Sequence, residues 1–346
     1  MGVALLAVLG GGVGAVSWMG TRPRPPPPAP PAPPPPPKYG SFTAAVEQTR
    51  KLLELEPCDR KAVLKLSEAL LKGDAPREAI GVVDGFVTKC GPYERLLWDK
   101  FTAHKRLSEN DQAIAVATTL MESDPMDVDY PWWRGELLEA QGKVEEAVAD
   151  YRLSLSLLPR AKSIPFMLTD ALFKAGRPCE AIEPMNLFLH FHPDQRQSTA
   201  AETRLSKLAE AKCEMTTGEG RAVFHAPVGA SAFRGQVKVN GKATGTFIID
   251  TGASSVVLSR SFADKLGLDG SFRQVRVRTA GGVKVAKLTS LDAVEAQGAK
   301  SKRVEAVIID DFGEDGLLGL SFLTRFEVQL DSKTRTLTLR ARPKTP

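Results

Sequence analysis

Between residues 42 and 213, hydrophobic and polar positions follow a helical period, and the pattern repeats every 34 residues. The clearest mark of the repeat is an alanine that recurs at this interval, at Ala45, Ala79, Ala113, Ala147 and Ala181. A small residue in the middle of each repeat lets two helices approach closely. The period therefore predicts one unpaired helix, then four helix pairs, and a closing helix at about 195–213.

Prolines mark the ends of the repeats. They stand twelve residues after four of the five alanines, at Pro57, Pro125, Pro159 and Pro193. After Ala79 the same place holds Gly91, and Pro92 follows it. Because proline cannot continue a helix, each proline should end the second helix of a repeat. Gly142 and Gly176 fall where the loop between two paired helices is expected.

This repeat resembles the tetratricopeptide repeat family over about 170 residues. The second helix of each repeat matches well, whereas the usual Trp-Leu-Gly-Tyr pattern of the first helix is mostly missing. The resemblance implies a solenoid at 41–215 with a concave face that binds a protein partner. Trp98, Trp132 and Trp133 are candidates for that face or for the core, and a core position is the more frequent outcome for tryptophan.

From Arg221 onward the pattern changes to that of strands and turns. Apolar positions alternate on both sides of Asn240-Gly241, a pair typical of a tight hairpin turn. A second hairpin is predicted around the turn at 279–282, and a third hairpin closes the domain. With one short helix in "RSFADKLGL", the pattern predicts an all-β domain at 221–342.

The first 40 residues follow neither period. Residues 2–20 carry no charged side chain and are just long enough to cross a bilayer, so 1–20 is expected to be a membrane anchor, with a cleaved signal segment as the alternative. Residues 21–40 form a proline-rich linker, expected as an extended stalk of about 45 Å or as a ligand for SH3- or WW-type domains. The expected location is therefore membrane-anchored. Basic residues after the apolar run favour a cytoplasmic side for the domains.

Charge changes at the same boundary as the period. From Arg221 onward there are 20 basic and 12 acidic residues, against 26 and 29 before it. The basic residues form no dense patch with interleaved aromatics, so no nucleic-acid partner is expected. The four cysteines form no CxxC pair and the histidines no metal-binding pattern, so neither a metal nor a cofactor is expected. Whether the cysteines form disulfides stays open.

One acidic residue, Asp250, stands inside the apolar and small-residue run "TFIIDTGASSVVLS". Burying a lone carboxylate is costly unless other groups compensate its charge. About 65 residues later, "GLLGLSFL" places an apolar pair between glycines. Strand, Asp-Thr-Gly, helix, glycine-tipped hairpin and Leu-Leu-Gly, in this order, resemble the single-lobe retropepsin-like aspartic proteases, in particular the membrane-anchored bacterial ones. That likeness favours a periplasmic or other extracytoplasmic side for the domains, and this is the side expected although the basic residues favour the other.

The resemblance implies the roles of the site residues. Asp250 would be catalytic, the Thr251 hydroxyl would brace two active loops, and Gly252 would let the backbone approach the catalytic water. The tip of a substrate-binding flap would be Thr279, Ala280, Gly281 and Gly282. The residues that support the active loop would be Ala253, Gly316, Leu317, Leu318 and Gly319.

Peptide hydrolysis of this kind needs two carboxylates about 3 Å apart that share one proton. About 120 residues cannot hold a second lobe, so the partner of Asp250 is expected to be Asp250 of a second copy in a homodimer. The alternative is a second carboxylate from the same chain, and four acids in one loop are candidates: Asp310, Asp311, Glu314 and Asp315. This loop is more simply interpreted as a solvated connection.

The fold class expected is multidomain α plus β, an α-helical repeat solenoid followed by an all-β retropepsin-like domain. The function expected is an aspartic endopeptidase that cleaves a protein or peptide substrate, which the repeats recruit or position. The alternative is a non-catalytic scaffold in which an inactive protease-like domain serves only to dimerise the chain.

Overall fold

The computed structural model describes residues 38–213, 217–268, 270 and 272–342, and it divides them into helices followed mainly by strands. The helices of the first region are α1 (Thr43–Leu55), α2 (Arg60–Lys72), α3 (Pro76–Cys90), α4 (Glu94–Arg106), α5 (Asn110–Ser123), α6 (Asp129–Ala140), α7 (Val144–Leu157), α8 (Ile164–Lys174), α9 (Ile182–Phe191) and α10 (Thr199–Glu210). Short 3₁₀ turns precede α1 and α9 and follow α9. The fold class predicted from the sequence is confirmed.

The recurring alanines lie where paired helices meet. Ala79, Ala113, Ala147 and Ala181 are all 0% exposed. Ala45 on α1 is exposed, because no described helix precedes α1 to cover it. Helices α1, α5, α7 and α9 each end two residues before the recurring proline, as expected for a residue that has no amide hydrogen to donate.

The loop inside each helix pair contains a left-handed residue at the same place in the repeat. These residues are 34 positions apart: Asp74 (φ 56°), Ser108 (φ 56°), Gly142 (φ 77°) and Gly176 (φ 69°). Glycine adopts this backbone conformation without steric cost. The glycine pattern therefore indicates two of the four loops from the sequence, and the other two are visible only in the structure.

Two disulfides fasten neighbouring repeats. Cys58 is bonded to Cys90 and Cys179 to Cys213, with Cα–Cα distances of 5.6 and 5.0 Å. The bonded residues are 32 and 34 positions apart, which is about the length of one repeat. Each bond therefore joins one repeat to the next. The cysteine pairing that the sequence left open is settled by this geometry.

The second region is built from ten strands and two short helices among its described residues. The strands are β1 (Arg221–His225), β2 (Phe233–Val239), β3 (Ala243–Ile249), β4 (Val256–Ser259), β5 (Arg273–Thr279), β6 (Gly282–Ala296), β7 (Ala299–Ile309), β8 (Gly316–Leu318), β9 (Phe326–Asp331) and β10 (Thr336–Ala341). Helix α11 (Arg260–Lys265) follows β4, and helix α12 (Leu320–Leu323) follows β8.

The strands form two sheets that share a main core, and a smaller apolar cluster includes Val257, Val307 and Leu317. The large sheet has the order β2-β3-β8-β4-β7-β6-β5, and an added pairing of β2 with β6 curls it toward a closed barrel. The small sheet has the order β1-β10-β9. Asn240 and Gly241 both have positive φ in the β2–β3 turn, as predicted for this pair. Phenylalanines fill the core, at Phe224, Phe247, Phe262, Phe322 and Phe326.

Helix α7 joins the two regions. Residues 150–157 are buried on every side, because neighbouring helices cover part of α7 and strand β5 covers the rest. Arg152 of α7 donates to both carboxylate oxygens of Glu305 at 2.9 Å and to Glu180 at 2.8 Å. Glu183 of α9 lies 3.5 Å from Arg325 of the second region. The helical region therefore packs directly on the β region, through the ion pair of Arg152 with Glu305 and the buried contact of Glu183 with Arg325.

The membrane-anchored location expected from residues 1–20 is corrected. No helix in the described residues is long and apolar enough to span a bilayer. The longest of them, α3, has 15 residues, whereas a spanning helix needs about 20. The expected anchor at 1–20 and nearly all of the proline-rich linker lie outside the described residues.

Candidate active site

The Asp-Thr-Gly turn follows directly on the last residue of strand β3. The backbone amide of Asp250 donates to the Leu318 carbonyl at 3.0 Å, which fixes the start of the turn. The Gly252 amide donates to Asp250 Oδ1 at 2.7 Å. Asp250 is half-buried, while Thr251 and Gly252 are exposed. The carboxylate therefore has one oxygen held by the turn and faces a cleft rather than the core.

The Leu-Leu-Gly segment lies beside this turn, as the resemblance implied. Strand β8 runs parallel to β3, with Leu318 opposite Ile249, and antiparallel to β4. A side chain at Gly316 would collide with the Phe247 ring, and one at Gly319 would collide with the backbone of Ser255. Both glycines are thus required by the close approach of the chain on either side of β8.

Ser321 is a support residue that the sequence reasoning missed. Its Oγ accepts from the Val256 amide at 2.9 Å and donates to the Glu305 carbonyl at 2.7 Å. The Leu320 amide donates to the Ala253 carbonyl at 2.8 Å. These bonds lock α12 to the chain that leaves the active loop. The sequence signal for this role was a single serine inside the apolar run "GLSFL", and the structure shows that this serine is fully buried.

The hairpin β5–β6 carries its turn over the same cleft. Gly282 has φ 103°, and Thr279 Oγ1 donates to its carbonyl at 2.7 Å, which closes the turn. Thr279, Ala280 and Gly281 line the cleft together with Asp250. Residues 279–282 therefore form a tight hairpin turn beside Asp250, where the sequence predicts a turn.

The acidic loop near residue 310 has its own partners. Lys284 Nζ lies 2.6 Å from Asp311 and lowers the pKa of that carboxyl, while Lys287 lies 3.1 Å from Asp310. Asp315 accepts from the Thr246 amide at 2.9 Å. Glu314 is the fourth acid of the loop and pairs with Arg234 at 3.0 Å. Each acid thus has a structural partner. No group of three or more His, Cys, Asp or Glu in the described parts of the chain could hold a metal ion.

The cleft beside Asp250 has a volume of about 760 Å³. On one side it is lined by the Asp-Thr-Gly turn, the hairpin turn at 279–281 and apolar residues such as Val257 and Ile309. On the other side it is lined by residues of the helical region, among them Leu158 and Phe191. A largely apolar cleft of this size can hold an extended peptide. The half-buried carboxylate of Asp250 could then act in hydrolysis of that peptide if a second acid completes the site.

The aromatic residues of the repeats form a separate pocket. Trp98 and Trp133 stack with ring centroids 3.8 Å apart, and both are half-buried. Tyr93 and Tyr130 line the same pocket, which has a volume of about 320 Å³. Trp132 instead packs against the core of the later repeats. All three tryptophans thus pack against a core of the repeats, and Trp98 and Trp133 also line the surface pocket.

Comparison with known proteins gives two family matches. Residues 235–322 match the family model described as aspartyl protease, and residues 99–163 match the model described as tetratricopeptide repeat. These matches confirm the two resemblances inferred from the sequence. No curated protein matches the chain.

Solved structures resemble each region separately. A crystal structure of MamA protein aligns with 18% identity and a TM-score of 0.41, over 46% of this chain and 86% of that chain. A crystal structure of a retropepsin-like aspartic protease from Rickettsia conorii aligns with 26% identity and a TM-score of 0.28, over 36% of this chain and 94% of that chain.

Proposed function

We propose that this protein is an aspartic endopeptidase and that Asp250 is its catalytic group. The observation that carries the proposal is the position of Asp250, half-buried in the cleft that the turn at 279–281 also lines. The match of residues 235–322 to the aspartyl protease family supports the same reading. A purely structural aspartate would instead be expected to satisfy both oxygens inside the fold.

Each part of the active loop has a role in this proposal. The Gly252 amide holds one oxygen of Asp250 at 2.7 Å and so keeps the carboxylate in one orientation. The other oxygen is left to take a proton from water as that water attacks the peptide carbonyl. The exposed Thr251 is available to brace a second active loop, and the turn at 279–282 is the flap that covers the bound peptide.

The second carboxylate is proposed to come from a second copy of the chain. Asp311 also lines the cleft, but Lys284 lies 2.6 Å from it and lowers its pKa. An acid held in its charged form by a cation is a poor partner for sharing a proton. Two copies related by a two-fold axis would supply two identical acids, which titrate as one coupled pair.

The helical repeats are proposed to recruit or position the protein substrate. Their match to the tetratricopeptide repeat family and the pocket around Trp98 and Trp133 support a protein-binding role. Half-buried aromatic side chains of this kind are common anchors at protein interfaces.

The test compares wild type with Asp250→Asn and Asp311→Asn in a peptide-cleavage assay on the full chain. We expect Asp250→Asn to abolish cleavage with unchanged oligomer size, and Asp311→Asn to keep most of it. In an equal mixture of wild type and Asp250→Asn that exchange subunits freely, a two-copy site leaves about one quarter of the activity, whereas a single-chain site leaves about half.

Two other results would contradict the two-copy endopeptidase. Loss of cleavage in Asp311→Asn as complete as in Asp250→Asn would replace the two-copy site with an intrachain pair of acids. Absence of cleavage in wild type, with a stable dimer, would favour the non-catalytic scaffold.

A further inference from the structure

The cleft beside Asp250 is not formed by the β region alone, because the helical region supplies one of its walls. This wall, here called the repeat wall, consists of Met126, Leu157, Leu158, Pro159, Arg160 and Phe191. Its central part is the segment that follows α7, at the end of a repeat. A peptide bound at Asp250 in this cleft would therefore meet residues that lie about 60 to 125 positions earlier in the chain.

The repeat wall is fastened to the flap hairpin. The Arg278 amide donates to Ser156 Oγ at 3.2 Å, and the Arg278 guanidinium donates to the Leu157 carbonyl at 3.2 Å. Arg276, two residues earlier on the same strand, lies 2.8 Å from the buried carboxylate of Asp150 on α7. The wall and the flap strand are thus one hydrogen-bonded unit, so the wall keeps a defined place beside the cleft.

Two features of the repeat wall point to a ligand. Leu158 and Met126 are 39% and 40% exposed, and both turn apolar surface toward the cleft. The exposed guanidinium of Arg160 lies over the Phe191 ring at 5.8 Å, and no carboxylate in the described parts of the chain lies within ion-pair distance of it. Stacking on a ring leaves the charge of an arginine available for an incoming acid.

We propose that the repeat wall is a substrate subsite of the endopeptidase that selects an acidic side chain at Arg160 next to an apolar side chain at Leu158 and Met126. The proposal rests on the proposed function, because the wall matters only if peptides are cleaved at Asp250. An extended peptide exposes successive side chains on opposite sides, so a peptide lying in the cleft turns every second side chain to the wall. Charge complementarity then sets which peptides are cleaved fastest.

The test uses the full chain and a position-scanning library of peptides. From the best substrate, three matched peptides carry Asp, Asn or Lys at the position where acid is preferred, and kcat/KM is measured for each. Arg160→Glu is expected to lower the ratio of Asp-peptide to Lys-peptide cleavage by roughly five- to twentyfold, since it turns an attraction at a partly exposed site into a repulsion. Leu158→Ser is expected to lower kcat/KM for peptides with Leu or Phe by about three- to tenfold.

Matched controls come from the same helical region. The Arg60 guanidinium also lies over a ring, that of Tyr93 at 5.3 Å, but neither residue lines the cleft, so Arg60→Glu should keep the wild-type ratio. Leu55 is 81% exposed and lies outside the cleft, so Leu55→Ser is the control for Leu158→Ser.

The outcomes separate the two proposals. Cleavage that depends on Asp250, with a ratio of Asp-peptide to Lys-peptide cleavage that falls in Arg160→Glu but not in Arg60→Glu, supports the subsite. Cleavage that depends on Asp250, with the same peptide preference in Arg160→Glu and Arg60→Glu, overturns the subsite and leaves the endopeptidase standing. No Asp250-dependent cleavage of any library peptide overturns both.

Discussion

Asp150 is the buried carboxylate through which α7 holds strand β5, and Asp150→Asn tests how strongly the two regions are joined. The side chain of Asp150 is 1% exposed. Arg134 donates to its two oxygens with Nε and Nη2, both at 2.7 Å, and Arg276 Nη2 donates to Oδ1 at 2.8 Å. The carboxylate thus accepts three charge-assisted hydrogen bonds out of contact with water.

The expected cost follows from these contacts. Asparagine keeps the shape but loses the charge, and its amide group places a donor against a guanidinium. Removing one member of a buried ion pair costs about 3–5 kcal/mol, because the other charge stays buried without its partner. Arg276→Met removes one of the three hydrogen bonds and leaves the pair with Arg134. Since the Arg276 side chain is 35% exposed, we expect a smaller cost of about 1–2 kcal/mol.

Two measurements report on the two regions separately. Urea unfolding followed by tryptophan fluorescence reports on the helical region, because Trp98, Trp132 and Trp133 lie in its helices and the sequence from Arg221 onward has no tryptophan. Hydrogen exchange of the amides at 273–279 reports on strand β5. We expect Asp150→Asn to lower the free energy of unfolding and speed exchange in the strand, and Arg276→Met to act mainly on exchange. Asp84→Asn, in an exposed pair with Lys100, is the control and should cost less than about 1 kcal/mol.

A free energy of unfolding for Asp150→Asn within about 1 kcal/mol of the wild-type value would contradict a stabilising buried ion pair at this site. An equal cost of Arg276→Met and Asp150→Asn in the fluorescence measurement would show that the pair with Arg134 contributes nothing of its own.

Three further predictions concern a buried acid, a glycine and a disulfide. Burial raises the pKa of Glu183 from 4.5 to about 8, so between these pH values the folded state keeps a proton that the unfolded chain releases. The free energy of unfolding should therefore fall by about 1.4 kcal/mol per pH unit between pH 4.5 and 8 and level off above, and thermal unfolding of Glu183→Gln should lack this slope. Gly319→Ala places a methyl group against a backbone carbonyl and should cost about 1–3 kcal/mol and reduce cleavage, whereas Gly313→Ala, with open space around it, should do neither in the same assays. Replacing Cys179 and Cys213 together by serine opens a loop of 34 residues and should cost about 3–4 kcal/mol in urea unfolding; reducing agent should then have a smaller effect on the variant than on wild type, and an equal effect would contradict the pairing.

The sequence by itself determined the local elements and their order. The 34-residue alanine and proline pattern defined helices such as α5 and α7, because a helix is specified by residues three and four positions apart. The Asn240-Gly241 turn and the strand before Asp250 were likewise visible, since turn chemistry and alternation act between near neighbours.

Only the tertiary structure decided how the two regions meet. The contacts of Arg152 with Glu305 and of Ser156 with Arg278 join residues more than 120 positions apart, and no local pattern encodes them. The same holds for the wall that Leu158 and Arg160 form beside Asp250. Such contacts depend on the shapes of two folded surfaces and on the desolvation of the charges between them, and both exist only once each region has folded.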